Sequence, residues 1–288
     1  MEKSLLNFIS RKKDADQTNN IGLSSKSESE ALVLNKQAMY LKHYFIQLGK
    51  DILVRFPKKI GRFFGYLSEW NKFTSKNDKR FTVKGRDAYP CLKDKILNTP
   101  FDHHYTYHPA WAARILAQTK PEYHVDISSI LHFSTIVSAF IPVRFYDYRP
   151  ADVNLTNLES GFADLKKLNF PDSSIPSLSC MHTIEHIGLG RYGDEIDPQG
   201  DIRSINELKR VLRRGGDLLF VTPVGKPRIE FNAHRIYSYE QIIEYFSPLV
   251  LKEFSLIPDA GGIINNADPT LVKDQNYGCG CFWFKNIN

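Results

Sequence analysis

Three aspartates are spaced along the middle of the chain in a way that would suit a bound nucleoside. Asp126 lies near the end of one predicted strand, and Asp147 ends the next predicted strand, 21 positions later. A carboxylate at that distance is placed to accept hydrogen bonds from the two hydroxyls of a ribose. Asp164 follows at a position where an adenine amino group would donate to it. The alternative for Asp147 is a surface ion pair with Arg144 or Arg149.

Histidines supply the second set of chemically capable side chains. Eight of the nine lie after residue 100, and His182, His186 and His234 fall near the ends of predicted strands. An imidazole suits the role of general base toward a hydroxyl, because its unperturbed pKa lies near neutrality. Glu185 would either orient such an imidazole or act as the base itself. The alternative for each histidine is a structural role, with its nitrogens hydrogen-bonded to the backbone.

Residues 182–186, His-Thr-Ile-Glu-His, also match the H-x-x-E-H pattern of one class of zinc peptidase. That chemistry requires a stable helix, so that both imidazoles project from one face toward the metal. Gly188, Gly190 and Gly193 argue against a long helix at this point. Zinc hydrolysis is therefore a minor alternative, and the sequence predicts no metal ligand.

The elements that must position these residues alternate between strands and helices from about Pro121 onward. Such alternation predicts a doubly wound α/β fold with a mostly parallel, Rossmann-like sheet, in which ligands bind where strands end. One predicted helix carries a Ser204-x-x-Glu207 capping pattern and ends at a Gly215-Gly216 C-cap. Another begins at Ser238 with a second capping pattern, Ser238-x-x-Gln241. The predicted strands span residues 123–127, 143–147, 177–181, 217–221, 249–257 and 279–284, and a further helix spans 130–140.

The net charge of +6 belongs to the first part of the chain. Residues 1–80 carry 16 Lys and Arg against 8 Asp and Glu, whereas residues 81–288 carry 22 against 24. A nearly neutral body argues against a nucleic-acid partner for the protein as a whole. We therefore predict two regions, a basic extension at 1–80 and an α/β domain at 81–288.

The extension combines a polar leader at 10–30 with two helical faces. One face runs from Leu41 to Ile52 and the other from Ile60 to Trp70, with lysines and Arg62 beside the aromatic residues of the second. One hypothesis is an amphipathic helix that rests on an anionic membrane surface. The other is a helical pair that docks through residues 41–72 onto the main domain or a second subunit.

Cysteine usage and hydropathy bear on location. The four cysteines include no C-x-x-C pair, no signal peptide pattern is present, and no segment approaches the roughly 20 apolar residues of a membrane-spanning helix. The expectation is a cytoplasmic protein, or one peripheral to the inner face of the membrane through its extension.

Several runs of residues resemble known families. The succession of Asp147, the segment 162–165 (Phe-Ala-Asp-Leu), the segment 183–187 (Thr-Ile-Glu-His-Ile) and the strand at 218–221 is similar to class I S-adenosylmethionine-dependent methyltransferases. More narrowly, residues 101–105, 111–114, 124–127, 180–182, 185–194 and 232–235 resemble a bacterial and nematode family called domain of unknown function 268. The resemblance covers about residues 80–288.

The resemblance implies a cofactor, a site and a substrate class. S-adenosylmethionine would be held by Asp126, Ser128, Ser129, Asp147, Asp164, Leu165 and Met181, and the catalytic candidates are His182, Glu185, His186 and His234. Tyr105 and Arg114 would help to close the acceptor side. The implied reaction is O-methylation of a sugar or small hydroxylated intermediate, a glycan precursor, in surface polysaccharide biosynthesis.

One departure from the family pattern sets up the alternative function. The first turn of such domains is rich in glycine, which lets the backbone approach the methionyl part of the cofactor. Here it is Ile127-Ser128-Ser129-Ile130, in which each serine adds a Cβ where room is needed. The second hypothesis is therefore a catalytically inactive, methyltransferase-like binding protein that recruits partners through its extension.

Overall fold

The chain divides into two compact units between Thr99 and Pro100, and the computed structural model describes Lys42 and residues 60–76 and 80–287. In the first unit residues 60–75 are helical, as the apolar spacing predicts, and Ile60, Phe63, Phe64 and Leu67 on this helix are 38–65% exposed. The polar leader and the helical face at 41–52 lie outside the described residues, apart from the helical Lys42. The boundary between residues 80 and 81 stays a prediction.

The second unit is built on a seven-stranded sheet in the order β3-β2-β1-β4-β5-β9-β8. Strands β1 to β5 run parallel, and β9 is antiparallel to its neighbours β5 and β8. This confirms the doubly wound α/β prediction. The strands are β1 (His124–Ile127), β2 (Val143–Asp147), β3 (Leu158–Phe162), β4 (Ile175–Met181), β5 (Leu212–Val224), β6 (Arg228–Glu230), β7 (His234–Ile236), β8 (Val250–Ile257) and β9 (Gly278–Lys285).

Helices cover both faces of this sheet. Side chains of α1 (His103–Thr119) and α2 (Leu131–Val137) pack in one core cluster, and those of α3 (Gly200–Val211) and α4 (Tyr239–Phe246) pack in another. Because both faces are covered, every residue of β1 and β4 is buried. No helix among the described residues combines the length and apolarity needed to cross a bilayer.

Side-chain caps define where two helices begin. The Asp102 side chain accepts a hydrogen bond from the Tyr105 backbone at 3.0 Å and caps α1. At α4 the predicted capping box is confirmed, because Ser238 and Gln241 each bond the other's backbone N–H. The helices on each face therefore begin at defined residues, and α1 begins with the two histidines His103 and His104.

Two predictions about α3 are wrong. The helix begins at Gly200, so Ser204 lies one turn inside it and donates a hydrogen bond to the Gly200 carbonyl at 2.8 Å instead of capping the helix. Gly215 does not cap the helix end either, because the chain passes from Val211 directly into β5. Gly215 has φ +75° within β5, next to a shift in register with β4. Its conformation therefore serves a bulge.

Candidate functional site

The strand order reverses between β1 and β4, and a cleft of about 550 Å³ opens there at the carboxyl ends of the strands. This is where doubly wound sheets bind ligands. The predicted site residues that line the cleft are Ser128, Ser129, Asp147, Asp164, Leu165, Met181, His182 and His186. Residues that line it without having been assigned from sequence include Arg149, Thr183, Arg191 and Tyr192. The cleft therefore brings together most of the predicted site.

The serine turn after β1 adopts the conformation that glycine usually supplies. Ser128 has φ +57°, and its backbone N–H donates to the Tyr146 carbonyl at 2.7 Å. Its own carbonyl accepts from the Thr183 hydroxyl at 2.9 Å, and the Ser129 hydroxyl accepts from the Met181 backbone at 3.1 Å. Bonds from β2 and from the chain around the end of β4 therefore hold the turn in the left-handed region without a glycine.

Substitution of Ser128 tests how much its left-handed backbone conformation lowers the stability of the folded chain. A β-branched residue is a genuine outlier at positive φ, so Ser128→Val is expected to lower the free energy of unfolding by about 1–3 kcal/mol. Ser128→Gly removes the strain and is expected to stay within about 1 kcal/mol of the wild type. Urea denaturation of both variants measures this, and equal stability of the two variants would contradict the description of the turn.

Asp147 and Asp164 stand at the same edge of the sheet. Oδ1 of Asp147 accepts from the Arg149 backbone at 2.7 Å, and Oδ1 of Asp164 accepts from the Lys166 backbone at 2.9 Å. The predicted alternative, an ion pair between Asp147 and a neighbouring arginine, does not form. Arg144 lies over the ring of Tyr123 and near Glu159, and the Arg149 guanidinium lies over the ring of Tyr192. Both carboxylates therefore line the cleft, and neither has a guanidinium partner among the described residues.

Asp126 lies behind the turn and does not line the cleft. It is fully buried, and Oδ1 accepts from the Ser179 hydroxyl at 2.6 Å while Ser134 donates to Oδ2. Since Ser179 gives its one proton to Asp126, His124 Nε2 at 2.9 Å must donate to Ser179. Burial raises the pKa of Asp126 to about 6, and burial lowers that of His124 to about 3. A contact of Asp126 with a cofactor stays a prediction; the structure shows a role in joining β1, β4 and α2.

The raised pKa of Asp126 predicts a pH dependence of stability. The folded chain keeps a proton that the unfolded chain releases between pH 3.8 and about 6, so stability falls as pH rises through that window. The loss is on the order of 3 kcal/mol. Asp126→Asn cannot titrate, so its stability relative to wild type is expected to rise by that amount between pH 4 and pH 7. Denaturation at both pH values measures it, and a constant difference would contradict the expectation.

His182, Glu185 and His186 form a connected group at the end of β4. His182 Nδ1 lies 2.8 Å from Oε1 of the fully buried Glu185, and His186 Nε2 lies 3.8 Å from the same oxygen. Burial opposes the charge on Glu185, but the His182 hydrogen bond and the two imidazoles outweigh it and lower the pKa of this carboxyl. Residues Ile184–His186 form a short 3-10 turn, so the two imidazoles do not project from one α-helix as the zinc peptidase pattern requires.

The two imidazoles differ in what they present to the cleft. His186 Nδ1 lies 2.6 Å from the Ala233 carbonyl, which accepts its proton and leaves Nε2 as the basic nitrogen. Burial is the main cause that lowers the pKa of His186, so this imidazole is neutral at pH 7. Arg191 Nη1 lies 3.5 Å from His186 Nε2. His182 Nε2, by contrast, is buried and has no hydrogen-bond partner among the described residues. His186 is therefore the better placed of the two to meet a substrate.

The remaining predicted residues lie at different distances from the cleft. His234 does not line it; its ring lies 4.7 Å from that of Tyr277, and Nε2 lies 3.0 Å from Glu230. Tyr105 lines the cleft, and burial together with the charge of Glu185 raises its pKa to about 12. Arg114 lies in a separate groove with Trp111 and Glu253. Arg114 is therefore not brought to the cleft, whereas Tyr105 is, and the acceptor-side roles of both stay predictions.

Comparison with known proteins gives a narrow family match and a broad structural one. The family model described as "Caenorhabditis protein of unknown function, DUF268" matches residues 165–249, the part of the chain that carries His182, Glu185, His186 and His234. No curated protein sequence matches the chain. The match confirms the family resemblance over these 85 residues, a shorter span than predicted.

Solved structures similar to this chain include three proteins of bacterial origin. The YcgJ protein of Bacillus subtilis is 14% identical, with 62% of this chain and 99% of that one covered and a TM-score of 0.43. The N-methyltransferase NodS of Bradyrhizobium japonicum WM9, in complex with S-adenosylhomocysteine, is 10% identical, with 65% and 90% covered and a TM-score of 0.45. The 1,6-didemethyltoxoflavin-N1-methyltransferase of Burkholderia thailandensis is 9% identical, with 63% and 79% covered and a TM-score of 0.44.

Proposed function

We propose that this chain is an S-adenosylmethionine-dependent methyltransferase that acts on a hydroxyl group. The observation that carries the proposal is the cleft at the reversal of strand order, where the turn at Ser128 and Ser129 and the carboxylates of Asp147 and Asp164 share one surface. The methyltransferase-type α/β fold itself follows from the observed sheet order.

The residues of the cleft fit the parts of an S-adenosyl cofactor. Asp147, at the end of β2, would accept hydrogen bonds from the ribose hydroxyls, and Asp164 would accept one from the adenine amino group. Leu165 and Met181 supply apolar contact, and both are buried except where they line the cleft. The turn at Ser128 lies where the backbone must approach the methionyl part. The bound cofactor would supply an electrophilic methyl group on its sulfonium.

Residues on the other side of the cleft fit an acceptor that loses a proton. His186 Nε2 would take the hydroxyl proton, and Glu185 Oε1, 3.8 Å away, would stabilise the imidazolium that forms. The Ala233 carbonyl holds the ring in the tautomer that this step needs. Tyr105 and Arg191, which also line the cleft, would orient the acceptor, because in-line transfer depends on its placement.

The acceptor we propose is a sugar or another small hydroxylated intermediate of surface-glycan synthesis, met in the cytoplasm. The test is transfer of a labelled methyl group from S-adenosylmethionine to a panel of free sugars, sugar phosphates and nucleotide sugars. Labelled product that base hydrolysis does not release, and whose methyl group has the NMR chemical shift of a methoxy group, supports an ether and hence O-methylation of a hydroxyl. Label found only on amines or carboxylates would contradict the proposed acceptor class while leaving the cofactor assignment standing.

A second candidate function is a methyltransferase-like binding protein without activity. The observation that favours it is the Cβ of Ser128 in a turn that approaches the cofactor site. In that case the extension would recruit a membrane surface or a subunit through residues 41–72. Binding of S-adenosylhomocysteine separates the two candidates, because an inactive relative that has lost the cofactor does not bind it. Liposome binding that is unchanged after deletion of residues 1–72 would exclude the extension as a membrane anchor.

A further inference from the structure

Three potential metal ligands from distant parts of the chain meet beside the cleft. His104 is the second residue of α1, His182 directly follows β4, and Cys279 is the second residue of β9. One ligand atom from each lies within 4.8 Å of the other two. Because three separate elements bring them together, the fold itself determines this grouping.

His182 is already oriented as a metal ligand. Its Nδ1 is hydrogen-bonded to Glu185 Oε1 at 2.8 Å, so Nε2 is the atom left to coordinate. The His182 side chain is only 2% exposed, and Nε2 has no hydrogen-bond partner in the described part of the chain. A carboxylate that fixes the far nitrogen of a ligating histidine is the usual outer partner of metal sites.

The spacing of the imidazoles agrees with a shared ion. The ring centres of His104 and His182 are 5.3 Å apart. Two imidazoles that bind one tetrahedral zinc at about 2.0 Å place their ring centres roughly 5 Å apart. The three ligand atoms would need to approach one another by roughly an ångström to bind one ion, a movement within reach of side-chain rotation.

The charges of the cluster also favour a bound cation. Glu185 is fully buried, and its Oε2 has no hydrogen-bond partner among the described residues. Cys279 is buried as well, and metal binding would convert it to a thiolate. A divalent cation bound by one thiolate and two neutral imidazoles carries a net charge of +1, which the nearby carboxylate balances. Buried charges of this kind are favourable only when they are paired.

We propose that His104, His182 and Cys279 bind a zinc-class transition metal ion, with Glu185 as the residue that positions His182. Two nitrogens and one sulfur favour zinc over magnesium or calcium, which prefer oxygen ligands. His108, one helical turn after His104, lies outside this set. Its Nε2 is likewise buried with no hydrogen-bond partner among the residues that the structure describes, and its ring centre is 5.1 Å from that of His182. The site does not depend on the proposed methyl transfer.

Cobalt titration of the full-length protein, stripped of metal by a chelator, tests the proposal. Stoichiometric Co²⁺ is expected to produce a thiolate-to-cobalt absorption band in the near ultraviolet, which zinc then displaces. Cys279→Ser should abolish the band, and His104→Ala should weaken cobalt affinity at least about tenfold. Cys281→Ser is the matched control, because Cys281 is buried on the same strand but lies outside the ligand set.

Each outcome of the titration decides the proposal. Absence of a thiolate band in the wild type, or a band that survives in Cys279→Ser, would overturn it. Circular dichroism of the variants shows that a lost band is not a lost fold. Binding of S-adenosylhomocysteine is measured on the same metal-free samples. Ligand binding without a cobalt band would mean that the metal site fails while the methyltransferase proposal stands.

Discussion

Asp147→Ala is expected to weaken S-adenosylhomocysteine binding by about two orders of magnitude or more. The carboxylate stands at the end of β2 with no guanidinium partner in the part of the chain that the structure describes, and it is the acceptor that we assign to the two ribose hydroxyls. A hydrogen bond to a charged group contributes about 1.5–3 kcal/mol, so two of them correspond to at least about a hundredfold in Kd. Isothermal titration calorimetry of wild type and variant measures the change directly.

The matched control for this prediction is Asp152→Ala. Asp152 is an exposed aspartate in the segment after β2, outside the lining of the cleft. Removing its charge changes the net charge of the protein as much as the Asp147 substitution does. Its affinity for S-adenosylhomocysteine should stay within about twofold of wild type, since exposed charges at a distance are screened. Equal losses in both variants would show that the effect of Asp147 is nonspecific.

His186→Ala is expected to lower kcat by about 100- to 1000-fold, with the affinity for S-adenosylhomocysteine almost unchanged. General base catalysis by a positioned side chain typically contributes factors of this size. The imidazole lines the cleft, and its Nδ1 is held by the Ala233 carbonyl, so only Nε2 remains to take the proton. His132→Ala, which removes an exposed histidine on α2, is the control and should leave both kcat and affinity unchanged.

The pH profile gives this prediction a second readout. Burial is the main cause that lowers the pKa of His186 below 6.5, and a base works only when it is unprotonated. The wild-type rate should therefore hold as pH falls to 6.5 and decline only below it. In His186→Ala the residual rate should lose that dependence. If the variant keeps full activity and the same decline in rate at low pH, the base must be another group. His182 would be the next candidate to test.

The sequence predicted several strands of the central sheet well, because most of their residues are buried and apolar. Val143–Asp147 was predicted to the residue, and the strand at 279–284 is one residue shorter at each end than β9. Strand β3, which pairs with β2, was not predicted, because it is an edge strand in which only Leu158 is buried. Helix α1 was also missed, and Pro109 in its middle removes one of the hydrogen bonds that define a helix.

The candidate site was predictable where chemistry follows directly from strand ends, and less so elsewhere. Asp147 ends a predicted strand and the group at 182–186 follows another, so their positions in sequence imply their meeting. Asp164 follows β3, the strand that was not predicted. Arg191 and Tyr192 lie in a loop whose path depends on positive φ at Gly188, Gly190 and Gly193. The meeting of His104, His182 and Cys279 depends on tertiary packing across almost the whole second unit.

The most direct test of the proposed function is hydrogen exchange of the backbone amides with and without S-adenosylhomocysteine, which shows the segments that the ligand protects. The ligand should bind one-to-one and slow exchange in the segments 127–130, 147–149, 163–166 and 181–183, which line the cleft or adjoin residues that do. The groove between α1 and β8, lined by Trp111, Arg114 and Glu253, should show no change. Absence of binding at millimolar ligand, or protection confined to that groove, would contradict the assignment of the cofactor site.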